Sequence, residues 1–151
     1  MAEFFADEDK ICVILGDNII EKNIREAVKK FDRQKAGAKI MIKEVPDPQR
    51  FGVPVLEGDK IVKIEEKPTA PKSPYAVTGI YLYDKTVFDI IKSLRPSDRG
   101  ELEITDVNNV YIERGQLTWE VLKGWWTDAG TFESLLRASQ MVAETGANKV
   151  D

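Results

Sequence analysis

Apolar residues along the chain change rhythm several times, and each rhythm predicts a different element. Residues 11–15 (ICVIL) are continuously apolar, the pattern of a strand covered on both faces. From residue 21 to 35, Ile24, Ala27, Val28 and Phe31 recur at helical spacing, and Gly37 supplies a stop. Residues 38–45 (AKIMIKEV) read as a second strand, followed by the turn-forming Pro46-Asp47-Pro48. Residues 51–56 and 60–65 flank Glu57-Gly58-Asp59 as the two arms of a hairpin. A Pro-rich loop over 68–74 leads into a strand at 75–83 (YAVTGIYLY), then a helix at 86–94 halted by Pro96. Residues 101–114 predict a helix closed by Gly115, and 117–122 a strand. A last helix is expected over 131–144, with Leu135, Leu136, Ala138, Ser139 and Val142 on its inner side. This order predicts a mixed α/β fold, its sheet partly parallel and partly built from hairpins. The 151 residues suit a single domain over 1–151 with its own core, and no internal repeat or second domain is visible.

Composition narrows the function classes. Lys and Arg number 22 against 26 Asp and Glu, a net charge of −4 that speaks against a nucleic-acid partner. The lone Cys12 excludes an internal disulfide and suits a reducing compartment, and the absence of His excludes His-dependent triads. The N-terminal MAEFFADEDK is too short and too acidic for a signal peptide, and no apolar run is long enough to span a bilayer. A cytoplasmic protein with no membrane partner is expected.

Candidate chemistry gathers where strands end, because ligands of such sheets bind at the carboxyl ends of the strands. Asp17 follows Gly16 at the end of the first strand. Its carboxylate suits Mg²⁺, a hard cation that takes oxygen ligands, and suits equally well a helix cap or turn. Asp128 follows a strand and a short loop and precedes a helix. Alone it reads as part of a helix start with Thr131 as the cap; with Asp17 it can share one Mg²⁺. Glu66 and Lys67 stand before Pro68, which ends the strand and leaves Lys67 free for a phosphate and Glu66 for a sugar hydroxyl. A solvated charge cluster is the plainer alternative. Gly79 inside a strand marks either a close approach or a bulge, and Gly52 is similarly placed after Arg50 and Phe51. Arg99 stands ready to clamp an anion, whereas Glu101 and Glu103 are ordinary first-turn acids.

In this order, VILGDN, DPQRFGV, KIEEKP, PKSPYAVTGIYLYD, RGELEITDVN and WWTDAGTFESL resemble the sugar-1-phosphate nucleotidylyltransferases. The resemblance spans about residues 2–144 and is nearest to the glucose-1-phosphate thymidylyltransferase branch. It implies a mostly parallel, Rossmann-like sheet flanked by helices. It also implies dTTP and glucose 1-phosphate as substrates, dTDP-glucose and pyrophosphate as products, and Mg²⁺ as cofactor. On that pattern Asp17 and Asp128 hold the metal. Gly52, Glu66 and Val77 bind the glucose ring with Tyr81 lining the same pocket, Lys67 and Arg99 hold the sugar phosphate as catalytic cations, and Trp126 packs beside the metal acid.

Two departures qualify this picture. Phe51 stands where the family pattern has Tyr beside the Gly, so the ring is kept and a hydroxyl lost. The family's Gly-rich G-G-x-G-T-R-L-type loop and its Pro-Lys segment have no counterpart here. The chain is therefore expected to be the C-terminal two-thirds of such a domain, with its first strand at an open edge and little or no turnover alone. Alternative roles are a non-catalytic module that binds sugar phosphate or associates with a relative, half of a split enzyme, or a homo-oligomer.

Overall fold

The computed structural model describes residues 2–97 and 100–147. Its central sheet is built around β6 (Tyr75–Tyr83), buried along all but its first residue. The strands lie in the order β1 (Ile11–Ile14), β6, β3 (Ala38–Glu44) and β7 (Leu117–Val121). β6 runs antiparallel to β1 and to β3, while β3 and β7 are parallel. Three of the four strands thus point the same way, a mixed α/β sheet as the sequence predicts. β6 is apolar apart from Thr78 and Gly79, in keeping with core clusters packed on both of its faces.

One face packs Ile40, Ile42, Tyr81 and Tyr83 against Val87 and Ile90 of α3 (Val87–Ser93) and Val107 and Tyr111 of α4 (Ile104–Glu113). The opposite face packs Met41, Ala76, Ile80 and Leu122 against Ala27 of α2 (Arg25–Arg33) and Trp126. The hairpin of β4 (Gly52–Glu57) and β5 (Lys60–Glu66) forms where expected and lies on α4. A second ribbon pairs β2 (Asn18–Ile20) with β8 (Trp126–Asp128) and sets Asn18 opposite Asp128. Both strands have three residues, too short for an alternating pattern to show. The remaining helices are α1 (Ala2–Ala6) and α5 (Phe132–Thr145).

Several expectations are corrected. β1 is not covered on both faces: Ile14 and Leu15 are 51% and 45% exposed, and Cys12 is exposed too. β6 is its only strand neighbour among the described residues, so its apolar side chains are half-packed. α5 forms over the expected span, but Leu135, Leu136 and Val142 lie open and only Ser134 and Ala138 are buried. Helical periodicity marks a face that can be buried, and no described element covers this one. α2 starts at Arg25 rather than 21, and the chain before it stays tied to the second ribbon by the Glu21 N–H donating to the Trp125 carbonyl. α4 starts at Ile104 rather than 101. Among the described residues no helix is long and apolar enough to cross a membrane.

Candidate active site

A cleft of about 300 Å³ is lined by residues of the β2–β8 ribbon, by the end of β1, the start of β4 and the end of β5, and by the middle of β6. Of the residues singled out from sequence, Asp17, Gly52, Glu66, Lys67, Val77, Tyr81, Trp126 and Asp128 all line it. Arg99 lies outside the described residues. Eight positions spread over more than a hundred residues of chain therefore meet in one cavity.

The two acids converge at Gly130. A Cβ built there would lie 3.4 Å from Asp17 Oδ2 and 3.5 Å from Asp128 Oδ2. The Ala129 N–H donates to the Asp17 carbonyl (2.7 Å), tying the two loops together. Asp128 does not cap α5. Thr131 does so, in reciprocal hydrogen bonds with Ser134. The Asp128 carboxylate thus plays no part in the cap, and its buried Oδ1 has no hydrogen-bond partner. Buried carboxylate oxygens are normally satisfied, and the Oδ2 atoms of the two acids both approach Gly130, so together they could hold a cation. Two carboxylates are fewer than a cage built from protein alone needs, and they suit an ion such as Mg²⁺ that keeps waters and shares phosphate ligands.

Asn18, which sequence reasoning passed over, holds this arrangement together. Its Nδ2 donates to Asp17 Oδ1 (2.8 Å). Its Oδ1 accepts from Trp126 Nε1 (2.7 Å) and from the Gly79 N–H (2.8 Å). The amide sits where a side chain at 79 would begin: a Cβ on Gly79 would lie 2.8 Å from Asn18 Cγ. The bulge reading of Gly79 holds, since the β3–β6 register slips between Ile40 and Ile42 beside it, and what approaches closely is this chain's own Asn18 and not a ligand or another chain. Trp126 in turn meets the Phe51 ring edge to face at 5.2 Å.

The other wall pairs Gly52 with Glu66 across the β4–β5 hairpin. A Cβ on Gly52 would press within 3.3 Å of Thr105 Oγ1, so glycine keeps the approach to Glu66 open. Thr105 donates to Glu66 Oε2 (2.6 Å), fixing the carboxylate and leaving Oε1 free apart from Lys67 Nζ at 4.0 Å. Lys67 has φ +43°, a left-handed backbone uncommon for a side-chain-bearing residue. That kink, closed by the Lys67 N–H to the Phe51 carbonyl (3.0 Å), puts Glu66 and Lys67 in the same cleft instead of on opposite strand faces. Burial, then the Glu66 and Asp17 charges, push the Tyr81 hydroxyl well above an ordinary phenol, so it is a neutral group there. Asn108 lines the same cleft, wholly buried, its Oδ1 taken by the Tyr83 hydroxyl and its Nδ2 unpaired.

A family model described as nucleotidyl transferase matches residues 1–145. The chain belongs to that family. A glucose-1-phosphate thymidylyltransferase of Neisseria meningitidis is 43% identical over 146 residues, 94% of this chain and 51% of that protein. One from Mycolicibacterium smegmatis is 48% identical over 138 residues, 89% of this chain and 48% of that protein. The chain thus spans about half the length of the curated relatives it matches. A Bacillus anthracis protein, provisionally assigned as a glucose-1-phosphate thymidylyltransferase and crystallised with sucrose, superposes with a TM-score of 0.89 at 54% identity. That match covers 99% of this chain and 60% of the other. A UDP-glucose pyrophosphorylase complexed with UDP-glucose superposes at 0.82 with 24% identity over 95% of this chain and 59% of that one, which shows a shared nucleotidyl transferase fold.

Proposed function

We propose that the chain carries the sugar-phosphate side and both metal acids of a glucose-1-phosphate thymidylyltransferase. The reaction joins dTTP and glucose 1-phosphate into dTDP-glucose and pyrophosphate. The observation that carries this reading is the convergence of Asp17 and Asp128 at Gly130, in the cleft that also holds Glu66 and Lys67.

The contacts support the following division of roles. Glu66, oriented by Thr105, offers Oε1 to a sugar hydroxyl, with Tyr81 and Val77 beneath and Gly52 leaving room for the ring. Lys67, over half exposed, reaches the sugar phosphate, and Arg99 is proposed to share that task. Asp17 and Asp128 hold Mg²⁺, with the Asn18–Trp126 contact fixing their loops. When bound, the ion neutralises phosphate oxygens and makes the α-phosphorus of dTTP more electrophilic. The attacking atom is a phosphate oxygen already ionised at neutral pH. A new P–O bond forms as the α–β bridge breaks and pyrophosphate leaves, with no proton to move. A site without His can do this, because alignment and charge neutralisation supply the rate.

The reading is tested by calorimetric titration of glucose 1-phosphate into the folded chain. Binding is expected, weakened about tenfold or more in Glu66→Gln and in Lys67→Ala. Failure of the folded wild-type chain to bind would overturn it. Pyrophosphate release with dTTP and Mg²⁺ is expected to be slight or nil, since no Gly-rich triphosphate cradle lines the cleft among the described residues. Release abolished by Asp17→Asn would show that the described cleft suffices for turnover.

A further inference from the structure

Besides Lys67, the cleft has one other cation among the described lining residues, Arg50, and nothing above gives it a task. It ends the short 3₁₀ turn Pro48–Arg50, which Pro48 stiffens. Its Nη1 donates to Asp47 Oδ2 (2.9 Å), and its guanidinium lies over the Phe51 ring at 5.3 Å. Nη2 points the other way and ends 3.9 Å from Asp128 Oδ2. That is close enough for charge attraction and too long for a hydrogen bond. The guanidinium is therefore anchored on one side and only electrostatically engaged on the other. The acid it faces is the one whose second oxygen is buried without a partner.

Resting on the metal reading above, we propose that Arg50 is a built-in counter-cation of the metal acids. It neutralises Asp128 when no ion is present, competes with a divalent cation for that carboxylate, and turns to the phosphate-bearing ligand once one arrives. Three cleft carboxylates, Asp17, Glu66 and Asp128, outnumber the two cations Arg50 and Lys67, so an empty cleft would otherwise attract metal indiscriminately. With Arg50 in place, tight metal binding waits for an anion that draws the guanidinium away. Arg suits this better than Lys because its planar fork keeps the Asp47 bond while the free nitrogen changes partner. Arg50 is thus a positioning residue that acts through Asp128.

The test is Mn²⁺ titration of the folded chain, read from the electron paramagnetic resonance of free Mn²⁺, for wild type, Arg50→Gln, Arg50→Lys and Asp128→Asn. Without other ligands, Arg50→Gln is expected to bind Mn²⁺ about three- to tenfold more tightly than wild type, a modest factor because the pair is partly solvated. Arg50→Lys keeps the charge and should stay within about twofold of wild type. Asp128→Asn should bind at least tenfold more weakly. Glucose 1-phosphate should tighten Mn²⁺ binding more in wild type than in Arg50→Gln. Unchanged or weaker Mn²⁺ binding by Arg50→Gln, or equal tightening in both proteins, would overturn the role of Arg50 and leave the metal site standing. If Mn²⁺ binds wild type no better than Asp128→Asn, the metal site itself is refuted and the Arg50 role falls with it.

Discussion

Asp84 and Asp128 are both partly or wholly withdrawn from water, and the fold treats them in opposite ways. Asp84, just past the end of β6, accepts four hydrogen bonds: from the Gly37 N–H, the Thr86 N–H and hydroxyl, and the Tyr111 hydroxyl. Asp128, in the cleft, has an oxygen with no partner and an arginine held short of contact. The first acid is finished by the protein and the second is left for something else to finish. A buried charge whose hydrogen bonds are complete serves as a structural joint, and one left incomplete beside a cavity is a candidate binding group, the role proposed for Asp128.

That contrast breaks most sharply at Asp84. Asp84→Ala strands the Gly37 amide, leaves the Tyr111 hydroxyl with only the Thr86 hydroxyl at 3.2 Å, and should cost about 3 kcal/mol, read as a lowered urea midpoint. Gly79→Ala comes next. Its methyl would collide with the Asn18 amide, so Asn18 must leave Asp17 and Trp126, at about 1–3 kcal/mol and with weaker Mn²⁺ binding. A smaller effect is the response to acid. Burial pushes the Asp84 carboxyl up, but the bonds from Thr86, Gly37 and Tyr111 outweigh it and hold the group below the usual carboxylate range. With the folded value depressed, the unfolded chain takes up a proton first as pH falls. Stability is therefore complete above the unfolded value of about 4 and drains away below it. Urea midpoints between pH 6 and pH 3 should fall more steeply in wild type than in Asp84→Asn, and parallel slopes would remove Asp84 from the account. The smallest expected change in stability is at Asp128. Asp128→Asn should alter the midpoint by no more than about 0.5 kcal/mol while Mn²⁺ binding is lost. A large destabilisation there would erase the distinction between the two acids.

How far the sequence discloses these regions follows from the length over which each signal is written. β3, β6 and α4 are long enough for their periodicities to stand out, and the apolar core lies where they predict. The same periodicity misleads at α5 and β1, because an apolar face announces a capacity for burial and not the neighbour that would use it. Leu136, read as facing inward, is 62% exposed. Gly16-Asp17, Glu66-Lys67 and Asp128 could be picked out as acids and bases at strand ends, since strand ends are where such sheets bind ligands. Asn18 and Arg50 could not. Asn18 matters only because the three-residue β2 sets it beside Gly79 and Trp126, and Arg50 only because a one-turn helix aims it at an acid some eighty residues away. Neither contact has a local pattern.

Lys67 carries a further consequence for how this position would behave under selection. A left-handed backbone favours Gly or Asn, and lysine there costs about 1 kcal/mol of strain. A library randomised at this codon and sorted for heat resistance alone should enrich Gly and Asn. Sorted for retention of a phosphorylated sugar, the same library should return Lys. The residue at this bend thus registers which demand a lineage has been under, and the backbone supplies a scale on which to read it.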